Sequence, residues 1–180
     1  MKFAAIFTAL GLIAAAGSAA AQSGVVAIPS GMNTQMFAVF RRWCLDTPPS
    51  FDALDARATS AHLRVSRDDK AKQADGTDVE TKTWFYTLES GNYAISAVKA
   101  VRGNEIMSVC NVLGTAADAK MADFLSESGR FGVPMKQSPN KETTLWNGPF
   151  PNTTIRFGLR RSGAGYEGVL SIMQTVETGK

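Results

Sequence analysis

Ser96 and Lys99 have the spacing of a serine nucleophile and its lysine base. In enzymes that use this S-x-x-K motif, a helix brings the lysine beside the serine. Here the two residues lie in an alternating segment that predicts a β-strand, where residues three apart point to opposite faces. The S-D-N and K-T-G motifs that accompany S-x-x-K in such enzymes are absent from the chain. We therefore interpret Lys99 as a surface lysine.

The only histidine, His62, is the one side chain whose unperturbed pKa suits a general base at neutral pH. It lies near the end of a predicted helix, where a cation interacts favourably with the helix dipole. No G-x-S-x-G sequence and no thiol nucleophile accompanies it. We interpret His62 as structural and nominate no catalytic residue.

A polar segment, residues 66–80, contains four carboxylates that could in principle bind calcium: Asp68, Asp69, Asp75 and Asp78. With Gly76 at the sixth position of a calcium loop, the twelfth position would be Lys82 instead of the required glutamate. The spacing therefore indicates a solvated loop, and we nominate no metal ligand and no cofactor. Acid and base residues scattered along the chain, as in a glycoside hydrolase, remain an alternative that sequence alone does not locate.

Cys44 and Cys110 are the only two cysteines. Neither belongs to a C-x-x-C redox motif, and His62 is too far from both in sequence to form a zinc-binding pattern. We expect a structural disulfide, because an exported protein meets an oxidising compartment. In the loop-entropy treatment, such a bond contributes roughly 4 kcal/mol to stability.

Four residues near the C-terminus are the candidate binding residues: Trp146, Phe150, Arg156 and Arg160. The two aromatic residues flank an irregular Gly/Pro segment, and the two arginines alternate with apolar residues in a predicted strand. Aromatic side chains beside arginines are common in recognition surfaces. The alternatives are that Trp146 and Phe150 close the core and that the arginines form an ordinary charged strand face.

The first 21 residues have the composition of a signal peptide. Lys2 supplies a positive charge, residues 3–16 are mostly apolar, and residues 19–21 are alanines that precede Gln22. We expect cleavage after residue 21 and a periplasmic or secreted product, residues 22–180. A retained membrane anchor is the alternative. No apolar run beyond Gln22 approaches the ~18 residues of a membrane-spanning helix.

The composition is that of a folded protein, with 180 residues, 44% apolar residues and 19% charged residues. The formal net charge is +3, which is too small to indicate nucleic-acid binding. This length favours a single domain after removal of the signal peptide.

The apolar spacing over residues 32–44 predicts a helix that ends before Pro48, and Ser50 begins a shorter second helix. Thr115 and Asp118 resemble a capping box for a third helix that ends at Gly129. Five predicted strands cover residues 81–88, 93–101, 105–113, 154–159 and 166–175. Residues 130–152 are predicted as a long irregular loop with a short strand near residues 143–146.

These elements predict a single two-layer α+β domain with an antiparallel sheet and helices mainly on one face, in the order α-α-β-β-β-α-β-β. The absence of a catalytic constellation favours a small exported binding or accessory domain for an unknown protein or envelope ligand. An envelope hydrolase and a purely structural envelope protein are the alternatives. The oligomeric state is not predicted.

Overall fold

The computed structural model describes residues 32–88, 91–115, 134–138, 143–162 and 165–179. The predicted signal peptide and the predicted third helix lie outside these residues, apart from Thr115, which ends a strand. None of the helices in the described ranges has the length and apolar character needed to cross a bilayer.

An eight-stranded sheet dominates the fold, in the spatial order β1-β2-β3-β4-β8-β7-β6-β5. Every neighbouring pair is antiparallel. The strands are β1 (Arg64–Lys72), β2 (Asp78–Leu88), β3 (Gly91–Arg102), β4 (Glu105–Thr115), β5 (Lys136–Gln137), β6 (Thr143–Asn147), β7 (Thr153–Ser162) and β8 (Gly165–Glu177). The antiparallel sheet is confirmed, but the described residues run as two short helices followed by eight strands, so the predicted order is matched only in part.

The helices precede the sheet in the chain. Helix α1 (Met32–Phe40) continues into a π-helical turn, Arg41–Leu45, and α2 spans Phe51–Ser60. The Ser50 Oγ accepts a hydrogen bond from the backbone N–H of Ala53 at 3.4 Å, as an N-cap residue should.

The segment predicted as a solvated loop, residues 66–80, is instead most of a β-hairpin. Strand β1 is almost wholly solvent-exposed, and only Val79 is buried at the start of β2, so no apolar alternation marks the hairpin. Cross-strand ion pairs hold their register: Lys70 with Glu80, and Lys72 with Asp78 at 3.5 Å. The predicted turn is present at Gly76, whose φ of 82° favours glycine.

The two faces of the sheet differ in what covers them. On the helix-bearing face, α1, the π-helical turn and α2 pack against large buried side chains, among them Trp84, Trp146 and Phe157. The far face carries a smaller buried cluster made only of strand residues, which are Val79, Val98, Ala100, Met107 and Val109. No residue of the described helices belongs to this cluster, in which Ala100 and Met107 are 0% and 2% exposed.

A disulfide joins the helical segment to the sheet. Cys44 lies in the π-helical turn and Cys110 in β4, with their Cα atoms 5.5 Å apart. Both residues are buried on the helix-bearing face. The predicted disulfide is confirmed, and it links two elements that are 66 residues apart in sequence.

Candidate ligand-binding face

The structure separates the four candidate binding residues. Trp146 is 0% exposed and lies on the helix-bearing face, opposite Ile155 of β7. Phe150 is half-buried against the same core. Arg156 lies on the far face, since it follows Ile155 in the strand. Arg160 lies farther along β7, where its backbone is in register with Glu167 of β8. Ligand binding by these residues stays a prediction, but Trp146 and Arg156 occupy opposite faces.

The side chain of Arg156 lies over Gly158, two residues farther along β7. A Cβ atom at residue 158 would be 3.6 Å from Arg156 Nη2 and 3.8 Å from its Cζ. The guanidinium therefore rests on the strand at a position that carries no side chain. This packing makes Arg156 half-buried and limits the directions in which its donors can point.

Arg156 has no protein partner among the described residues. Its guanidinium forms no hydrogen bond or ion pair with a described residue, and burial is the cause that lowers the pKa of Arg156. Arginine still keeps its charge, because its ordinary pKa lies so far above neutrality. A partly desolvated charge without a counterion is unfavourable, and an incoming anion would relieve that cost.

A row of polar residues crosses the far face toward Arg156, with one residue from each of five strands: β2, β3, β4, β8 and β7. We call it the polar row: Thr83, Ser96, Asn111, Ser171 and Arg156. Thr83 Oγ1 lies 3.1 Å from Ser96 Oγ. The side chains of Asn111 and Ser171 form no hydrogen bond with another described residue. Ser171, which lies opposite Arg156 in the register, is only 5% exposed, whereas Asn111 is half-buried, so the Asn111 amide is the more accessible of the two groups.

A second row runs parallel to the polar row, two residues along each strand. We call it the apolar row: Phe85, Ala94, Leu113, Val169 and Gly158. Its three middle residues are half-buried, and Phe85 is 43% exposed with the Arg64 guanidinium 4.8 Å from its ring centroid. The guanidinium of Arg156 covers the other end, at Gly158.

Three lysines in another depression of the described sheet have acidic partners. A depression of about 490 Å³ at the β1–β3 end of the sheet is lined by Lys70, Lys72 and Lys99. Glu80, Asp78 and Asp52, respectively, lie within ion-pair distance of these lysines. Such exposed pairs contribute little to stability, but they leave no unpaired charge for a ligand.

A smaller cavity of about 150 Å³ adjoins the disulfide, between the π-helical turn and α2. Burial lowers the pKa of Arg57 there, although the nearby Asp46 opposes that shift. Arg57 donates a hydrogen bond to the backbone carbonyl of Trp43, and its Cζ lies 4.7 Å from the indole centroid. Unlike Arg156, this guanidinium is occupied by contacts within the protein.

The structure places Ser96, Lys99 and His62, the residues considered for catalysis, at separate sites. Ser96 belongs to the polar row, whereas Lys99 points to the helix-bearing face, where its Nζ lies 3.9 Å from Asp52. His62 is exposed and has a φ of 54° in the turn that ends α2, where Leu63 N–H donates to the Ala58 carbonyl at 3.0 Å. No cluster of histidine, cysteine or acidic side chains in the described ranges is arranged to hold a metal.

Sequence reasoning nominated Arg156 but missed the two rows that surround it. Each row contains one residue from each of five strands. Two of these strands, β4 and β8, are neighbours in the sheet but far apart in sequence. Only the register of the pairs reveals the alignment. The sequence signal that was present is the alternation in β7, which places Arg156 and Gly158 on the same face.

No protein-family model, curated protein or solved structure matches this chain. The function is therefore inferred from the residues of the chain itself.

Proposed function

We propose that this protein is an exported, disulfide-stapled domain that binds an anionic ligand on the far face of its sheet. The observation that carries the proposal is the half-buried guanidinium of Arg156, which has no acidic partner in the described part of the chain. Polar side chains beside it supply further hydrogen-bonding groups. Binding is favoured over catalysis because the polar row contains no group that titrates near neutral pH.

Export is supported by the apolar first 21 residues and by the Cys44–Cys110 disulfide, since oxidising compartments preserve such bonds. Intact-mass measurement of the exported product would test this part of the proposal. We expect a chain that begins at Gln22 and lacks two thiol protons. A product that retains Met1 would instead place the protein at the membrane.

Anion binding is tested by titrating the exported protein with butanoate while recording the side-chain Nε–Hε resonances of its arginines by NMR. The Arg156 resonance is assigned by its loss in Arg156→Gln. We expect a saturable shift of that resonance in the roughly millimolar range, typical of one charge-assisted pair near a surface. Arg41, an exposed arginine of the π-helical turn, is the internal control. Equal, non-saturable shifts of both resonances would refute the proposed site.

A further inference from the structure

We infer that the ligand is a single-chain amphiphile with a carboxylate head, whose alkyl chain lies along the apolar row. This inference rests on the proposed function and names the ligand class of the same site. The carboxylate binds the Arg156 guanidinium at the Gly158 end, and the chain extends across β8, β4 and β3 toward Phe85.

The charge of the two rows favours a monoanionic head. Arg156 is the only charged residue in the polar and apolar rows. A planar carboxylate matches the two parallel donors of a guanidinium and carries one negative charge. A phosphate monoester carries nearly two negative charges at neutral pH, and one guanidinium would leave part of that charge uncompensated.

The exposure of the apolar row indicates an apolar tail. Ala94, Leu113 and Val169 are side by side in register, half-buried, and uncovered by the described helices. Contact with an alkyl chain would remove this surface from water, and burial of apolar surface is favourable. The polar row lies beside the alkyl chain, so its hydroxyl and amide groups need not be buried against the methylene groups.

The length of the row limits the length of the tail. Four steps between neighbouring strands separate Gly158 from Phe85, which is a distance of about 19 Å at ~4.8 Å per step. An extended carbon chain with ~1.5 Å bonds and ~111° angles advances about 1.25 Å per bond. The row therefore accommodates a chain of about fifteen carbons.

The test measures the affinity of the exported, oxidised protein for butanoate, octanoate, dodecanoate, hexadecanoate and octadecanoate, each below the concentration at which it forms micelles. We expect the affinity to rise about twofold per methylene, about half of what complete burial would give on a free-energy scale. The rise should end near hexadecanoate, so that octadecanoate binds no more tightly.

Two matched substitutions in β8 separate the tail from the head. Val169→Thr introduces a hydroxyl into the apolar row, whereas Val176→Thr makes the same change at a residue of the opposite face that is 46% exposed. Combined with Leu113→Thr, Val169→Thr should weaken hexadecanoate binding about tenfold and leave butanoate binding unchanged. Val176→Thr should change neither affinity. Unchanged methyl NMR spectra of the core would show that each variant is folded.

The outcomes distinguish the two proposals. Saturable butanoate binding at Arg156 without any dependence on chain length would overturn the inference and leave the proposed function standing. Hexadecanoate binding that survives Arg156→Gln would overturn both, because the ligand would then be held elsewhere. Absence of binding by every member of the series would also overturn both.

Discussion

The guanidinium of Arg156 occupies the space that Gly158 leaves open on the far face of the sheet, with Nη2 only 3.6 Å from the position of an added Cβ. The two residues are neighbours on one face of β7, so the absence of a side chain at Gly158 sets where the charge rests. A methyl group would be in ordinary van der Waals contact with the guanidinium. A branched side chain would occupy part of the guanidinium's volume.

Gly158→Val should therefore displace Arg156 without changing any charge. We expect butanoate affinity to fall about tenfold, the loss of one good charge-assisted interaction, while Gly158→Ala stays within about twofold of the natural protein. Both residues suit an extended strand, because Gly158 does not have a positive φ. NMR titration of the Arg156 resonance measures the difference, and equal affinities for the two variants would contradict the contact.

Arg156→Gln should affect stability and binding in opposite directions. Removal of a partly desolvated charge that has no counterion should raise the free energy of unfolding by about 0.5–1 kcal/mol, a trade-off typical of binding sites. Arg41→Gln, which removes an exposed charge, should leave stability within about 0.5 kcal/mol. Urea denaturation of both variants measures the effect. A large loss of stability in Arg156→Gln would mean that the arginine supports the fold.

The disulfide should stabilise the fold without taking part in ligand binding. Replacement of both Cys44 and Cys110 by serine should lower the free energy of unfolding by about 2–5 kcal/mol. Butanoate affinity should remain unchanged in the fraction that stays folded, because both cysteines lie on the helix-bearing face. Calorimetry and titration of the same samples check both parts. Loss of binding at preserved folding would link the cysteines to the site.

Local sequence patterns predicted the features that depend on residues close in sequence, such as a helix cap and a turn. Ser50 was predicted to begin the second helix, and its hydroxyl caps that helix. The turn at Gly103 was predicted between two strands. It connects β3 to β4, and the φ of Gly103 is 60°. The disulfide also followed from composition, since only Cys44 and Cys110 were available to pair.

The charged hairpin at the sheet edge was not predictable from apolar periodicity. Strand β1 pairs only with β2, and nearly every side chain of β1 is exposed. Its strand structure depends on backbone pairing and on cross-strand ion pairs such as Lys70–Glu80. Neither contribution leaves an alternation of apolar and polar residues for sequence analysis to detect.

The candidate site required tertiary information for the same reason. Alternation in β7 placed Arg156 on a face, but it did not reveal that this face is the one the described helices leave uncovered. The prediction grouped Arg156 with Trp146 because the two residues are close in sequence. Their strands are neighbours, yet Trp146 pairs with Ile155 and therefore points to the opposite side.

Trp146→Ala provides a direct test of whether Trp146 belongs to the core or to a contact surface. Its side chain is 0% exposed and packs in the cluster that includes Ile155 and Phe157. Truncation would leave a large cavity in this cluster, so the free energy of unfolding should fall by about 3–5 kcal/mol.

Phe150→Ala, at the half-buried residue of the adjoining loop, should cost less than Trp146→Ala because less of the Phe150 side chain is enclosed. Thermal and urea unfolding of the two variants measure both effects. A change of well under 1 kcal/mol in Trp146→Ala would contradict its place in the core. It would also restore Trp146 as a candidate contact residue. A large loss with unchanged butanoate affinity in the folded fraction would assign anion binding to the far face without Trp146, since the indole would then support the sheet from the side opposite Arg156.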